Sequence, residues 1–220
     1  VASPRFGTVI FDCDSTLSAI EGIDELAAGR REEIAGLTAS AMSGALSLEA
    51  VYGARLAIIR PSRGRIESLA RQYVTAAVPG ARETVRALRE GGVEVRIVSG
   101  GIRQAILPFA AWLGLGPDAV AAVELRFDSA GAYQGFDEAS PLARSGGKRT
   151  LIASWRQALP GPVLLVGDGI TDLEARPAVD RFVAFAGVVD RPAVTATADA
   201  VIPGPSILPV LWEVLQKDPA

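Results

Sequence analysis

A short run of β-branched and aromatic residues, Thr8-Val9-Ile10-Phe11, ends abruptly in two carboxylates one residue apart, Asp12 and Asp14, and then enters a small hydroxyl-rich turn, Ser15-Thr16-Leu17. A strand that is apolar on both faces belongs inside a parallel sheet covered by helices on both sides, so this run points to the α/β class. Open α/β sheets carry their sites beyond the carboxyl ends of the strands, which is where Asp12 and Asp14 fall. The two acids are therefore the expected chemical centre.

After Leu17 the pattern turns helical. Glu21-Gly22-Ile23-Asp24-Glu25-Leu26-Ala27 comes first; Leu48, Val51, Tyr52, Leu56 and Ile59 then recur at helical spacing behind a Ser47 cap until Pro61 stops the run. A further helix covers Arg65 to Ala76. Three helices without a strand between them predict a small inserted helical bundle over residues 18–77, and Pro79-Gly80 marks its end. Residues 1–17 and 78–220 then form the core. There the pattern alternates: a helix from Ala81 to Glu90 ends at Gly91-Gly92, and a strand from Val93 to Val98 ends in the turn Ser99-Gly100-Gly101. The next helix is expected to break at Pro108. Val123 to Phe127 and Ala132 to Phe136 flank Asp128-Ser129-Ala130-Gly131, a β-hairpin off the main sheet near 122–137. Lys148 opens a helix with Leu151, Ile152, Trp155 and Leu159 on one face. Val163-Leu164-Leu165-Val166 runs straight into Gly167-Asp168-Gly169-Ile170-Thr171-Asp172, and Phe182 to Phe185 and Ala200 to Ile202 add two short strands. The expected fold is a Rossmann-like, doubly wound parallel sheet carrying a helical-bundle cap.

Composition removes several chemistries. The chain has 220 residues, 49% of them hydrophobic and 6% aromatic, which fits one aliphatic core with a smaller appendage. With 22 Lys plus Arg against 25 Asp plus Glu, the net charge of -3 gives no general attraction to nucleic acid or anionic membrane. No stretch is long enough to span a bilayer and no signal-peptide pattern opens the sequence, so a soluble, cytoplasmic protein is expected. The absence of His excludes Ser-His-Asp triads, phosphohistidine intermediates and His-built zinc sites. The single Cys, at 13, cannot form an intrachain disulfide, and as a residue alternating away from the acids it reads as a small buried hydrophobe.

In a parallel sheet all strand carboxyl ends share one edge, so Asp12, Asp14, Ser99, Asp168 and Asp172 converge although they are far apart in sequence. Carboxylates gathered on one rim repel one another unless a cation joins them, and an oxygen donor set without His or Cys selects a hard ion, Mg²⁺ foremost. Such an ion invites phosphate. Ser99, the amides of Gly100 and Gly101, a helix N-terminus and Lys148 supply the donors a phosphoryl group needs. Each element alone is ordinary: Asp-x-Asp caps turns, Ser-Gly-Gly makes loops, Gly-Asp-Gly turns chains and a helix-start lysine is usually solvated. Their order, with three of the four clusters at strand ends, makes the set specific.

Asp12-x-Asp14-Ser15-Thr16, Ser99-Gly100-Gly101, Lys148 and Gly167-Asp168-Gly169-x-Thr171-Asp172 resemble, in that order, the four motifs of the haloacid-dehalogenase-like hydrolases. Within them the chain is similar to the phosphoserine phosphatases, a likeness that runs from about residue 8 to 190 and includes Glu21 to Ala27, Arg55 to Ile59 and Ser145-Gly146-Gly147-Lys148. The resemblance implies that Asp12 attacks phosphorus to form an aspartyl-phosphate, while Asp14 protonates the leaving oxygen and later takes a proton from water. It implies Mg²⁺ held by Asp12, Asp168 and the Asp14 backbone carbonyl, with Asp172 supporting that shell and Ser99 and Lys148 neutralising phosphoryl oxygens.

By the same resemblance the substrate is phosphoserine, in the last step of serine synthesis, and the enzyme is a monomer or homodimer. Glu21 would hold the substrate ammonium and Arg55 its carboxylate; Met42 and the backbone near Gly44 would line the pocket, completed by Gly100, Gly101 and Thr171. A zwitterion calls for one anion and one cation at a fixed separation, which fits the Glu21 and Arg55 pairing. Two positions depart from the family's pattern: Leu48 and Ile102 stand where Phe is frequent. Three other functions use a related framework. A phosphatase or phosphotransferase for another small ester would share all of these residues, a phospho-acceptor receiver module would not need a second acid at 14, and neither would a metal-free dehalogenase.

Overall fold

The computed structural model describes residues 4–30, 34 and 48–215, with side chains from residue 50 onward in the last segment. Met42, Gly44, the Ser47 cap and the side chain of Leu48 lie outside the described residues. Among the described residues the strands are β1 (Thr8–Phe11), β2 (Glu94–Ile102), β3 (Val120–Val123), β4 (Leu125–Phe127), β5 (Tyr133–Phe136), β6 (Val163–Gly167), β7 (Arg181–Phe185) and β8 (Ala200–Ile202). Six of them form one parallel sheet in the order β3-β2-β1-β6-β7-β8, and β4 and β5 pair antiparallel as a separate hairpin. The strand that carries the acid pair is thus central.

Every residue of β1 and of β6 is buried, as their unbroken apolar sequences require. Alternate residues feed opposite faces. Val9, Phe11, Ile97, Leu164 and Val166 join one core cluster with α4 (Ala81–Glu90), α5 (Arg103–Leu113) and α8 (Val210–Leu215), while Ile10, Val98, Val163 and Leu165 join a second with α6 (Gly147–Trp155) and α7 (Ile170–Ala175). The sheet is therefore doubly wound. Each fully buried Leu, Ile, Val or Phe contributes about 1.5–3 kcal/mol relative to exposure, so both faces hold the sheet and fix its carboxyl edge.

Between β1 and α4 the described residues form α1 (Gly22–Leu26), α2 (Leu48–Ile59) and α3 (Arg63–Thr75). In α3, Ser62 caps the first turn by accepting from the Arg65 amide, and Ile66, Leu69, Ala70 and Tyr73 bury one helical face. That face packs along α5, where the Tyr73 ring stacks on Phe109 with centroids 5.9 Å apart. α4 follows Gly80, in a left-handed conformation with φ of 82°, and buries Ala81, Thr84, Val85 and Leu88 at the same helical spacing.

Three local expectations are corrected. β2 does not stop at Val98 but continues through Ser99, Gly100 and Gly101 to Ile102, with a shift in its register against β3; two residues without side chains let the extended backbone bulge and still remain strand. Val120–Val123 is an edge strand of the main sheet, hidden in the sequence by two alanines of weak strand preference, and it is separated from β4 at Glu124. The Gln104 side chain makes that division, donating to the Leu125 carbonyl at 2.7 Å and accepting from its amide at 3.1 Å. Finally, α5 runs through Pro108 unbroken, because Ala105, Ile106, Phe109, Ala110 and Leu113 bury its face on both sides of the proline.

Candidate active site

Strand register brings the distant motifs together. Phe11 pairs with Ile97 on one side and Val166 on the other, so Asp12, Ser99 and Asp168 all emerge at one edge of the sheet. Asp12, Ser99, Asp168, Asp172 and Lys148 are all buried. Lys148, in the first turn of α6, directs its Nζ between Asp12 Oδ1 at 2.8 Å and Asp172 Oδ1 at 2.7 Å. Asp172, in α7, uses its other oxygen to accept from the Gly169 amide at 3.0 Å. This turn needs glycine at 167, where a Cβ would sit 2.3 Å from Asp172 Cγ. Asp168 accepts from the Thr16 hydroxyl at 3.2 Å and from Arg191 Nε at 3.0 Å.

Oxygen atoms of Asp12, Asp168 and Asp172 lie within 4.8 Å of one another. Burial pushes the Asp12 carboxyl well up, and the neighbouring Asp172 adds to it; Asp168 is raised in the same way by burial and Asp172. Burial alone would lower the Lys148 ammonium, yet Asp12 and Asp172 outweigh it and hold that group above its ordinary value. The cluster is short of positive charge. A hard divalent cation fits such a buried, all-oxygen donor set.

The carboxylate of Asp14 is not part of that group. Its Oδ1 accepts from the Tyr73 hydroxyl at 2.6 Å and its Oδ2 from the Gly22 amide at 3.1 Å. Burial pushes the Asp14 carboxyl up to about 6, with Glu21 adding to the shift and the Tyr73 and Gly22 donors opposing it. Burial, with both acids adding to it, likewise raises the Cys13 thiol, so this fully buried cysteine stays protonated, consistent with a packing role.

A cavity of about 170 Å³ opens over these groups. From the sheet side it is lined by Asp12, Asp14, Ser99, Lys148 and Thr171 together with Gly100 and Gly101; Glu21, Ile23, Asp24 and Arg55 face it from the segment between β1 and α4. Glu21 accepts from the Ser15 hydroxyl at 2.8 Å and lies 3.5 Å from an Arg191 guanidinium nitrogen. Ser15 reaches it from a left-handed backbone, φ 54°, a strain of order 1 kcal/mol stored at the site. Arg55 pairs with Asp24, and its Nε is buried with no hydrogen-bond partner among the described residues. Ser99 Oγ accepts from the Gly101 amide at 2.9 Å, so its hydroxyl proton remains free to be directed into the cavity.

Residues 9–175 match the family model described as haloacid dehalogenase-like hydrolase. The chain belongs to this family. Among relatives, it is 41% identical over 199 residues to the chloroplastic phosphoserine phosphatase of Arabidopsis thaliana, covering 88% of this chain and 68% of that protein. It is 40% identical over 194 residues to the phosphoserine phosphatase of Bos taurus, covering 87% and 86%. A solved structure described as a phospho-aspartyl intermediate analogue of phosphoserine phosphatase superposes with a TM-score of 0.74 at 26% identity, covering 95% of this chain and 99% of that one.

As a haloacid dehalogenase-like hydrolase, the chain brings Asp12, Asp14, Glu21, Arg55, Ser99, Gly100, Gly101, Lys148 and Thr171 to one cavity, with Asp168 and Asp172 beside Asp12 and the Asp14 side chain outside that acidic trio. Ile102 is buried in the core and does not line the cavity. Sequence reasoning missed three groups. Arg191, just past β7, bridges Asp168 to Glu21; its signal was a cation in the loop beyond a fourth strand end on the same edge. Asp24, which pairs with Arg55 at the cavity, carries no signal in the sequence beyond that of an acid in a helix. Tyr73 was hidden in a helical stripe of core residues.

Proposed function

We propose that this protein is a Mg²⁺-dependent phosphomonoesterase that hydrolyses O-phosphoserine to serine and phosphate through an aspartyl-phosphate on Asp12. The observation that carries the reading is one small cavity with Asp12, Asp14 and Lys148 at its floor and Glu21 and Arg55 on its wall. That is an attacking carboxylate, a second acid and a fixed cation beneath an acid and a base suited to an amino acid's two charged groups. Relatives about 40% identical over most of both chains are named phosphoserine phosphatases, which supports the substrate.

Asp12 attacks phosphorus in line, and the ester bond breaks with its electron pair going to the serine oxygen, which Asp14 protonates. Asp14, now ionised, next accepts a proton from the water that attacks the phosphorus of the aspartyl-phosphate, releasing phosphate and regenerating Asp12. Lys148 and Ser99 offer donors to the phosphoryl oxygens, and the Asp172 carboxylate holds the buried Lys148 ammonium in place through both steps. Asp12, Asp168 and the Asp14 backbone carbonyl would hold Mg²⁺, with Asp172 supporting them. The ion supplies charge neutralisation for the phosphoryl group and orients it.

In substrate recognition Glu21 takes the ammonium and Arg55 the carboxylate, while Thr171, Gly100 and Gly101 close the pocket from the sheet side. Met42 and the backbone near Gly44 would complete it. The segment 18–77 acts as a cap that keeps water from the aspartyl-phosphate. The test is phosphate release measured across small phosphate esters, with and without Mg²⁺. Phosphoserine should have the highest kcat/KM, and chelation should abolish release until Mg²⁺ is restored. An unrelated ester that outranks phosphoserine by a wide margin would overturn the substrate, and phosphate passed to an added alcohol would show a transferase. Arg55→Ala should lower kcat/KM for phosphoserine by about 10- to 100-fold, mostly through KM, the loss of a charge-assisted contact, and leave an aryl phosphate nearly unaffected. Equal losses on both would remove Arg55 from carboxylate recognition.

A further inference from the structure

Both oxygens of the Asp14 carboxylate are held by the segment that precedes α4. Tyr73, fully buried in α3, donates to Oδ1 at 2.6 Å, and the first residue of α1, Gly22, donates its amide to Oδ2 at 3.1 Å. The two contacts depend on each other. A Cβ at residue 22 would lie 2.2 Å from the Tyr73 hydroxyl oxygen, so the phenol reaches Asp14 only because position 22 is glycine. The phenol is itself anchored: the Ser18 hydroxyl donates to the Tyr73 carbonyl at 3.0 Å, and the ring stacks on Phe109. Nothing in the chemistry of phosphate binding calls for this tyrosine, because it touches neither the acidic trio nor Lys148.

We propose that Tyr73 is a positioning residue for Asp14, its hydroxyl fixing the carboxyl group in the orientation from which the proton passes to the leaving oxygen. The inference rests on the reading of Asp14 as the acid and base. As the bond from Asp12 to phosphorus forms and the ester bond breaks, the proton leaves Asp14 for the alcohol oxygen and the negative charge stays on Asp14. The Tyr73 hydroxyl keeps its own proton throughout and directs it at that carboxylate. Without the phenol oxygen, one carboxylate oxygen loses its donor and the side chain gains rotational freedom in a site where a small misplacement is costly. The effect should therefore scale with the leaving group's need for a proton. A serine alkoxide needs one, whereas a nitrophenolate departs without it.

The experiment compares Tyr73→Phe with the unaltered enzyme on phosphoserine and on p-nitrophenyl phosphate, both in Mg²⁺. The comparison uses kcat/KM, which ends at the first irreversible step. Phenylalanine keeps the ring stack and removes only the oxygen. The expected result is a loss of about 10- to 30-fold on phosphoserine and less than about threefold on the aryl ester. Gly22→Ala, whose Cβ must displace the phenol, should reproduce the selective loss, so the test does not depend on one variant. Melting temperatures are followed for both, because a purely structural role would lower them and both rates together. Equal losses on the two esters, or no loss on phosphoserine, overturn the proposal. Asp14→Asn is measured in parallel. If its loss is no greater on phosphoserine than on the aryl ester, the reading of Asp14 as the acid falls, and the inference with it; an Asp14→Asn loss selective for phosphoserine beside an unselective Tyr73→Phe refutes the inference alone.

Discussion

Asp12→Asn should reduce phosphate release by about 10⁴-fold or more, because the proposed first bond to phosphorus is made by the Asp12 carboxylate and an amide cannot make it. The amide keeps the shape of the carboxylate. Its oxygen can still accept from the Cys13 amide, now at 2.7 Å, and from Lys148 at 2.8 Å, so the hydrogen bonds that seat the side chain survive. Removing one negative charge from three buried carboxylates also relieves repulsion with Asp172. Folding stability by urea titration should therefore change by no more than about 1 kcal/mol. Mass spectrometry of acid-quenched enzyme should show phosphate bound to the native chain under turnover and none bound to the variant. Activity above about a hundredth of native would falsify Asp12 as nucleophile.

What was readable in the sequence and what was not divides along a physical line. Asp12, Ser99 and Asp168 were legible because parallel-sheet geometry sends every strand's carboxyl end to one edge, so that neighbours in space can be inferred from strand ends alone. Lys148 was legible only as part of the ordered set. Its bridging position between Asp12 and Asp172 depends on how α6 packs against the sheet, which no local pattern encodes. Tyr73 shows the reverse difficulty. It shares one buried helical face with Ile66, Leu69 and Ala70, and burial of the ring conceals that the hydroxyl at its tip reaches a polar site. Ser99-Gly100-Gly101 reads as a turn from composition and is a strand in the fold, because pairing of β2 overrides the local preference of glycine.

Lys148→Met should give the largest combined effect on stability and rate. The ammonium is the buried cation of the acidic trio, held between Asp12 and Asp172, and methionine fills similar volume without charge. Removing one partner of a buried ion pair typically costs about 3–5 kcal/mol, because the remaining charges stay buried and uncompensated. Burial already raises the carboxyls of Asp12 and Asp168, and loss of the lysine raises Asp12 further. Acids raised in this way bind more protons folded than unfolded once the pH exceeds their ordinary value of about 4, so stability must fall as pH rises through that window. The variant's deficit is thus expected to be largest at neutral pH in chelator and to shrink toward pH 4. Mg²⁺ should recover more stability in the variant than in the native chain, since a cation returns to a cluster that has lost one. The rate should still fall by about 10²- to 10³-fold with Mg²⁺ present, because the fixed positive charge proposed to neutralise the phosphoryl oxygens is gone. Urea unfolding at two pH values, each with and without Mg²⁺, reads the first effect, and phosphate release reads the second. A variant as stable as native in chelator at neutral pH, or one turning over within threefold of native, would show that the Lys148 charge does not hold this cluster together.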